Sequence, residues 1–177
     1  MNKLIKIFAS VFCMFLAANT QATIAQKQDT QAQGDTQNFL GLENLVGVWQ
    51  LSKAESEDEK LFRLRYHFIS RNTALAEVYG NPAKQTTETL YHRAGSALMA
   101  THYCARGNQP RLNAIQSSAK TTLEFNFKDI TNLSNKNDPH MVRMKFSFID
   151  EDHFQKEEVY LVKGKEESST MTLVRVN

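Results

Sequence analysis

Leu61-Phe62-Arg63-Leu64-Arg65-Tyr66-His67-Phe68-Ile69 is the stretch whose reading decides the fold. Phe62, Leu64, Tyr66 and Phe68 alternate with Arg63, Arg65 and His67, and a period of two places the apolar set on one face of an extended strand. The same pattern returns as Val142, Met144, Phe146 and Phe148 against Arg143, Lys145 and Ser147, and again as Leu123, Phe125 and Phe127 against Glu124, Asn126 and Lys128. Weaker alternation marks strands over residues 47–53, 74–79, 86–92, 97–104, 111–116, 153–162 and 171–176. Turn residues separate them: Gly80-Asn81-Pro82, Ala94-Gly95-Ser96, Arg106 to Pro110, Ser134 to Pro139, Asp150-Glu151-Asp152 and Lys163-Gly164-Lys165. About ten short strands, each with one apolar face, predict an all-β, antiparallel up-and-down meander. Closure into a barrel of 8–10 strands removes exposed edges, and the tight connections favour it over a sandwich.

Outward from this core, Phe39, Leu40, Leu42, Leu45 and Val46 carry helical spacing that Gly47 ends, which predicts a short N-terminal plug or lid helix. Residues 26–38 hold a single alanine as apolar content and read as a flexible linker, because such a stretch cannot repay its ordering entropy by burial. Residues 1–25 have the layout of a bacterial secretory signal peptide: Lys3 and Lys6, an apolar run from Ile7 to Ala18, and small residues at Ala22 and Ala25, with cleavage in the 22–26 window. A run that short falls below the roughly twenty residues a membrane anchor needs. The expected product is a periplasmic or secreted protein without membrane anchor, folded as one domain over residues 39–177.

Whole-chain charge is 21 basic against 19 acidic residues; the leader takes away two lysines and no acid, leaving 19 against 19. A neutral domain lacks the one-sided positive field that a phosphate backbone requires, which excludes nucleic acid as a partner. Loss of Cys13 with the leader leaves Cys104 as the one thiol, so no intramolecular disulfide forms even in an oxidising compartment. Stability has to come from a hydrophobic core, and about 150 residues suffice for one domain.

Gly47-Val48-Trp49 follows the short apolar helix and opens the first strand, and there the chain resembles the calycins, the superfamily of lipocalins and fatty-acid-binding proteins. The resemblance implies that Arg175, from the last strand, stacks on Trp49. A second resemblance covers Thr86 to Phe154. Thr89-Leu90-Tyr91-His92, the run Thr101-His102-Tyr103-Cys104-Ala105-Arg106-Gly107-Asn108-Gln109-Pro110-Arg111, then Phe127 to Leu133 and Pro139-His140-Met141 look like a family of uncharacterised bacterial lipocalin-like barrels. It implies a fold and carries no activity.

Three function classes follow. In the first, the barrel binds a small apolar or amphipathic molecule, with Tyr66, Phe68, Tyr91, Met99, His102, Tyr103, Phe125, Phe146 and Phe148 as candidate lining, and Asn108 and Arg111 at the mouth, where Arg111 could grip an anionic head group. In the second, His92, His102 and Cys104, with His140 nearby in the sequence, supply nitrogen and sulfur ligands to zinc or haem iron, or a histidine activates the Cys104 thiol. The bland alternative for these residues is a small buried cysteine and hydrogen-bonded histidines. In the third, the barrel is structural or protein-binding, with a filled core and an exposed apolar patch. No nucleophile, base and orienter set is visible, so no catalytic residue, resident metal or cofactor is assigned. Oligomeric state is left open. The polar segment between Asp129 and His140 reads either as a lid or as a solvated connection.

Overall fold

The computed structural model describes residues 39–176 apart from residue 85 and residues 116–120; the expected leader and linker lie outside the described residues. Ten antiparallel strands form a closed up-and-down barrel: β1 (Gly47–Leu51), β2 (Arg63–Ile69), β3 (Ala74–Gly80), β4 (Thr87–Ala94), β5 (Ala97–Tyr103), β6 (Gln109–Ile115), β7 (Thr122–Thr131), β8 (His140–Phe148), β9 (His153–Val162) and β10 (Lys165–Arg175). Each strand pairs with the next, and β1 closes the ring onto β10 through Trp49↔Arg175, Gln50↔Val174 and Leu51↔Leu173. The alternation dictates this outcome, since every strand has one apolar face to bury and the ring lets all ten face the same interior.

The strand ends differ from expectation in instructive places. β7 runs through Asp129 and Ile130 to Thr131, so these residues are strand and not the start of a loop. β10 begins at Lys165, six residues before its apolar part, because its polar half is held by pairing with β9 (Lys165↔Val162 to Val174↔His153). A short helix, α1 (Glu57–Lys60), interrupts the β1–β2 connection. It is one turn long, too short for periodicity to reveal. Its signature is the capping box: Ser56 Oγ accepts from the Glu59 amide at 3.2 Å while Glu59 Oε2 accepts from the Ser56 amide at 3.0 Å.

Two register slips also reassign faces. Between Met141 and Arg143 the β8–β9 ladder shifts, so Met141 and Met144 are both fully buried while Val142 is displaced from the interior row. Between Arg111 and Leu112 the β6–β7 ladder slips, and Phe127 beside it is 40% exposed.

One end of the barrel is sealed. The plug is a single 3₁₀ turn, Leu42–Leu45, and it buries Phe39, Leu42 and Leu45 over the interior. Beneath it lie Trp49, Phe154 and Phe146, with Trp49 and Phe154 edge to face at 4.7 Å between centroids. Trp49 Nε1 donates to Leu45 O at 2.7 Å. Arg175 covers the outer side of the same ring, its Cζ 4.2 Å from the Trp49 centroid, and donates to Val46 O and Asn44 O. One arginine from the last strand thus clamps plug, first strand and closing seam together, with a cation–π contribution of about 0.5–2 kcal/mol.

Gly47 makes this approach possible. Its φ is +134°, and a Cβ there would stand 2.9 Å from Arg175 Nη1. Gly47→Ala should therefore strain the backbone and push Arg175 off its carbonyls, lowering stability by about 1–3 kcal/mol. Urea unfolding of the variant beside the parent measures it, and an unchanged midpoint would mean that the clamp is not formed.

Candidate functional site

Away from the sealed end the interior turns polar, by the same rule of alternation. On β3, Leu75, Glu77 and Tyr79 share a face; on β9, Phe154, Lys156, Glu158 and Tyr160 do. Both strands start inward with an apolar residue, so the charges two and four residues further along have no choice but to enter the barrel. Glu77, Lys156 and Glu158 are all buried, Lys156 completely.

The hydrogen bonding explains how the barrel tolerates them. Glu77 Oε2 accepts from Tyr66 OH at 2.8 Å and from Tyr91 OH at 2.7 Å, while its Oε1 pairs with Lys156 Nζ. Lys156 Nζ also lies 2.8 Å from Glu158 Oε1 and 5.6 Å from the centroid of the Tyr79 ring. Burial pushes the Glu77 carboxyl up, but the ammonium of Lys156 and the hydrogen bonds from Lys156, Tyr91 and Tyr66 outweigh it and hold the group below its ordinary value. Lys156 shows the mirror image: burial alone would lower its value, and Glu158 with Glu77 raises it above the usual lysine range. Tyr66 and Tyr91 are raised by burial first and the Glu77 charge second, so both stay protonated donors. Two carboxylates facing one ammonium leave one negative charge in excess.

His102 continues this network on β5. Its Nδ1 lies 2.9 Å from Thr89 Oγ1, and its Nε2 lies 3.3 Å from Tyr160 OH. Burial pushes the imidazole below its ordinary value against the opposing pull of Glu158, which keeps it neutral at pH 7. Burial, followed by Glu158, raises the Tyr160 phenol.

Above this network the barrel opens. β9 and β10 pair over ten residues, yet β1 pairs with β10 only near its end, so Lys165 to Thr170 project beyond the closed ring with exposed side chains. Tyr160, Cys104, Pro139, Val162 and Ser169 are among the residues that bound a mouth of about 380 Å³ there. A larger groove of about 610 Å³ lies at the sealed end between the plug and the β8–β9 turn. Its basic group, Arg175, is already spent on the Trp49 face and on Val46, Asn44, Glu151 and Asp152, and of its acids Asp150 is held by His153 and Asp152 by Arg175. The mouth over the polar network is the stronger candidate.

The residues singled out from sequence divide into three groups. Tyr66, Tyr91, His102, Phe125 and Phe146 face the interior, and Phe68 and Phe148 pack at its sealed end, Phe68 against Phe39 and Phe148 stacked on Phe146. Asn108 and Cys104 belong to the loop at the mouth: Asn108 Nδ2 donates to Pro139 O at 3.0 Å, and the Cys104 amide donates to Asn108 O. Met99, Tyr103 and Arg111 do not line the interior. They stand on the outer wall around a depression of about 410 Å³ with His92, because their parity is opposite to that of the inward Leu98, Ala100, His102 and Leu112; Met99 is buried there and Tyr103 is 47% exposed. Arg111 is committed there to an ion pair with Asp129.

His92, also outside, contacts Thr101 Oγ1 at 3.3 Å, so the strand wall separates it from His102. The expected convergence of His92, His102 and Cys104 is not formed, and the described residues hold no group of three or more His, Cys, Asp or Glu placed to bind a metal ion. The sequence reading passed over Glu77, Lys156, Glu158, Tyr79 and Tyr160. The available signal was their parity with Leu75 and Phe154, which assigns them inward although residue type suggests solvent.

Together these features define a class: a ten-stranded antiparallel barrel with one plugged apolar end and a buried, ionised polar network beneath an open one. Comparison of the chain with protein-family models and with curated proteins finds no match.

Proposed function

We propose that this is an exported, calycin-like binding protein that takes up a small amphipathic molecule through the mouth bounded by Cys104, Pro139, Tyr160 and Ser169. The molecule's polar group would meet Tyr160 and Glu158, and its apolar part would rest on Pro139, Val162 and the Tyr160 ring. The observation that carries this is the charged network beneath an opening. Well-packed apolar side chains of equal volume would stabilise a barrel at least as well as a buried ion pair. Its position under a mouth is accounted for by something that enters there. A volume near 380 Å³ falls in the range of small-molecule sites. Export is supported by Lys3, Lys6 and the apolar run that follows them.

Native mass spectrometry of the full chain expressed with its own leader in a Gram-negative host tests both parts. The expected product is periplasmic, begins within residues 23–26, and carries extra mass that disappears after unfolding and refolding. A cytosolic product with residue 1 intact would overturn export. Equal masses before and after refolding, with no uptake of added amphiphile, would overturn binding. The filled aromatic end favours a structural barrel as the second reading, and that contrary outcome is its signature.

A further inference from the structure

We infer, building on the binding reading above, that the mouth selects a molecule whose polar group is a cation, a protonated amine received by Glu158. Three observations converge on it.

The first is charge. Glu77 and Glu158 face Lys156 alone, and His102 stays neutral, so the buried network is one negative charge in excess. At the rim, Arg106 and Glu167 carry opposite signs and cancel. An arriving anion would add a like charge to a site already overcharged, in surroundings where water cannot screen it; an arriving cation would restore balance.

The second is the state of Glu158 itself. It is the charge of the network nearest the mouth, one inward position below Tyr160, and only 6% of it is exposed. Its partner among the described residues is Lys156, whose Nζ lies 2.8 Å from Glu158 Oε1, whereas Glu77 holds Lys156, Tyr66 and Tyr91 together.

The third is independent of the acids. Asn108, in the loop that frames the mouth, is 3% exposed; its Nδ2 is used on Pro139 O, and its Oδ1 is a buried acceptor without a partner. Pro139, beside it on the rim, offers a carbonyl and no N–H. The loop that frames the mouth therefore holds one unsatisfied acceptor, Asn108 Oδ1, and a protonated amine supplies N–H donors and the missing charge at once. The Tyr160 ring adds an aromatic face suited to a cation.

The test compares three probes with one tail: octylammonium, 1-octanol and octanoate, titrated calorimetrically into the full mature chain at pH 7 and low ionic strength. An alkylamine is protonated there, since its value lies near that of lysine, about 10.4. Octylammonium should bind at least about tenfold more tightly than octanol, with octanoate weakest. Glu158→Gln should abolish the preference for the cation, bringing octylammonium down to the affinity of octanol measured on the same variant, while Lys156 keeps Glu77 as its partner. Octanol binding as tightly as octylammonium, or octanoate binding best, overturns the cation assignment and leaves the binding reading standing. Failure of all three probes to bind removes both. The three-probe comparison on the unaltered chain decides the matter even where the variant folds poorly.

Discussion

Lys156→Met should destabilise the protein by about 3–5 kcal/mol at pH 7, a large share of the stability of any single domain. Methionine keeps most of the volume, so the loss is electrostatic: Glu77 and Glu158 would be left as neighbouring buried carboxylates with no counter-charge. The pH dependence gives the effect its signature. In the parent, the Glu77 value is depressed, so its contribution is present above the ordinary carboxylate range and is lost as pH falls through the depressed value. In the variant, burial acts on Glu77 without the ammonium and raises its value. The penalty is then greatest at neutral pH and is relieved as pH falls through that raised value. Parent and variant stabilities measured by urea unfolding should converge as pH falls from 7 through that raised value. Adding Glu77→Gln to Lys156→Met should recover part of the loss, since a neutral amide can still bond Tyr66 and Tyr91. A cost below about 1 kcal/mol at pH 7, or a gap that widens with acid, would mean that the trio is not the dry, paired network described here.

How much of this could be read from the chain depends on whether a residue's position or its chemistry was the better guide. Tyr66, Phe125 and Phe146 were legible because alternation and apolar character agree. Lys156 and Glu158 were not, because character contradicts parity, and in a closed barrel parity wins: the backbone ladder of β9 cannot turn two side chains outward without a bulge. The bulges in the neighbouring ladders account for the faces misjudged at Val142 and beside Phe127, since one extra residue reverses the alternation beyond it. The separation of His92 from His102 was hidden only by an unmade step. Gly95-Ser96 is a two-residue hairpin turn that sets Ala94 opposite Ala97, hence His92 opposite Met99, an odd distance from His102. The mouth is less accessible to such reasoning, because it arises from unequal pairing lengths of β10 with β9 and with β1, which no local pattern encodes.

Phe146 separates a packed interior from a ligand chamber, and Phe146→Ala should lower stability by about 3–5 kcal/mol. The ring is fully buried among Tyr91, Phe125, Phe148 and Phe154, each with its centroid 6.1–6.3 Å away, and Lys156 Nζ lies 5.9 Å above it. Four aromatic neighbours held by the surrounding strands cannot collapse into the vacated space, so a cavity remains and the lost dispersion is not regained. A void walled chiefly by such rings stays dry and accepts benzene or xenon, which should return part of the lost stability in proportion to ligand concentration. The parent should show no such response, since its sealed end is already filled. If Phe146 instead bordered a natural chamber, truncation would merely enlarge an existing space: the stability loss would be small and benzene would stabilise parent and variant alike. Calorimetric unfolding with and without benzene distinguishes the two. It also bears on the mouth, because a molecule received at Tyr160 and Glu158 should bind the Phe146 variant as it binds the parent, whereas one lodged among the aromatic rings should not.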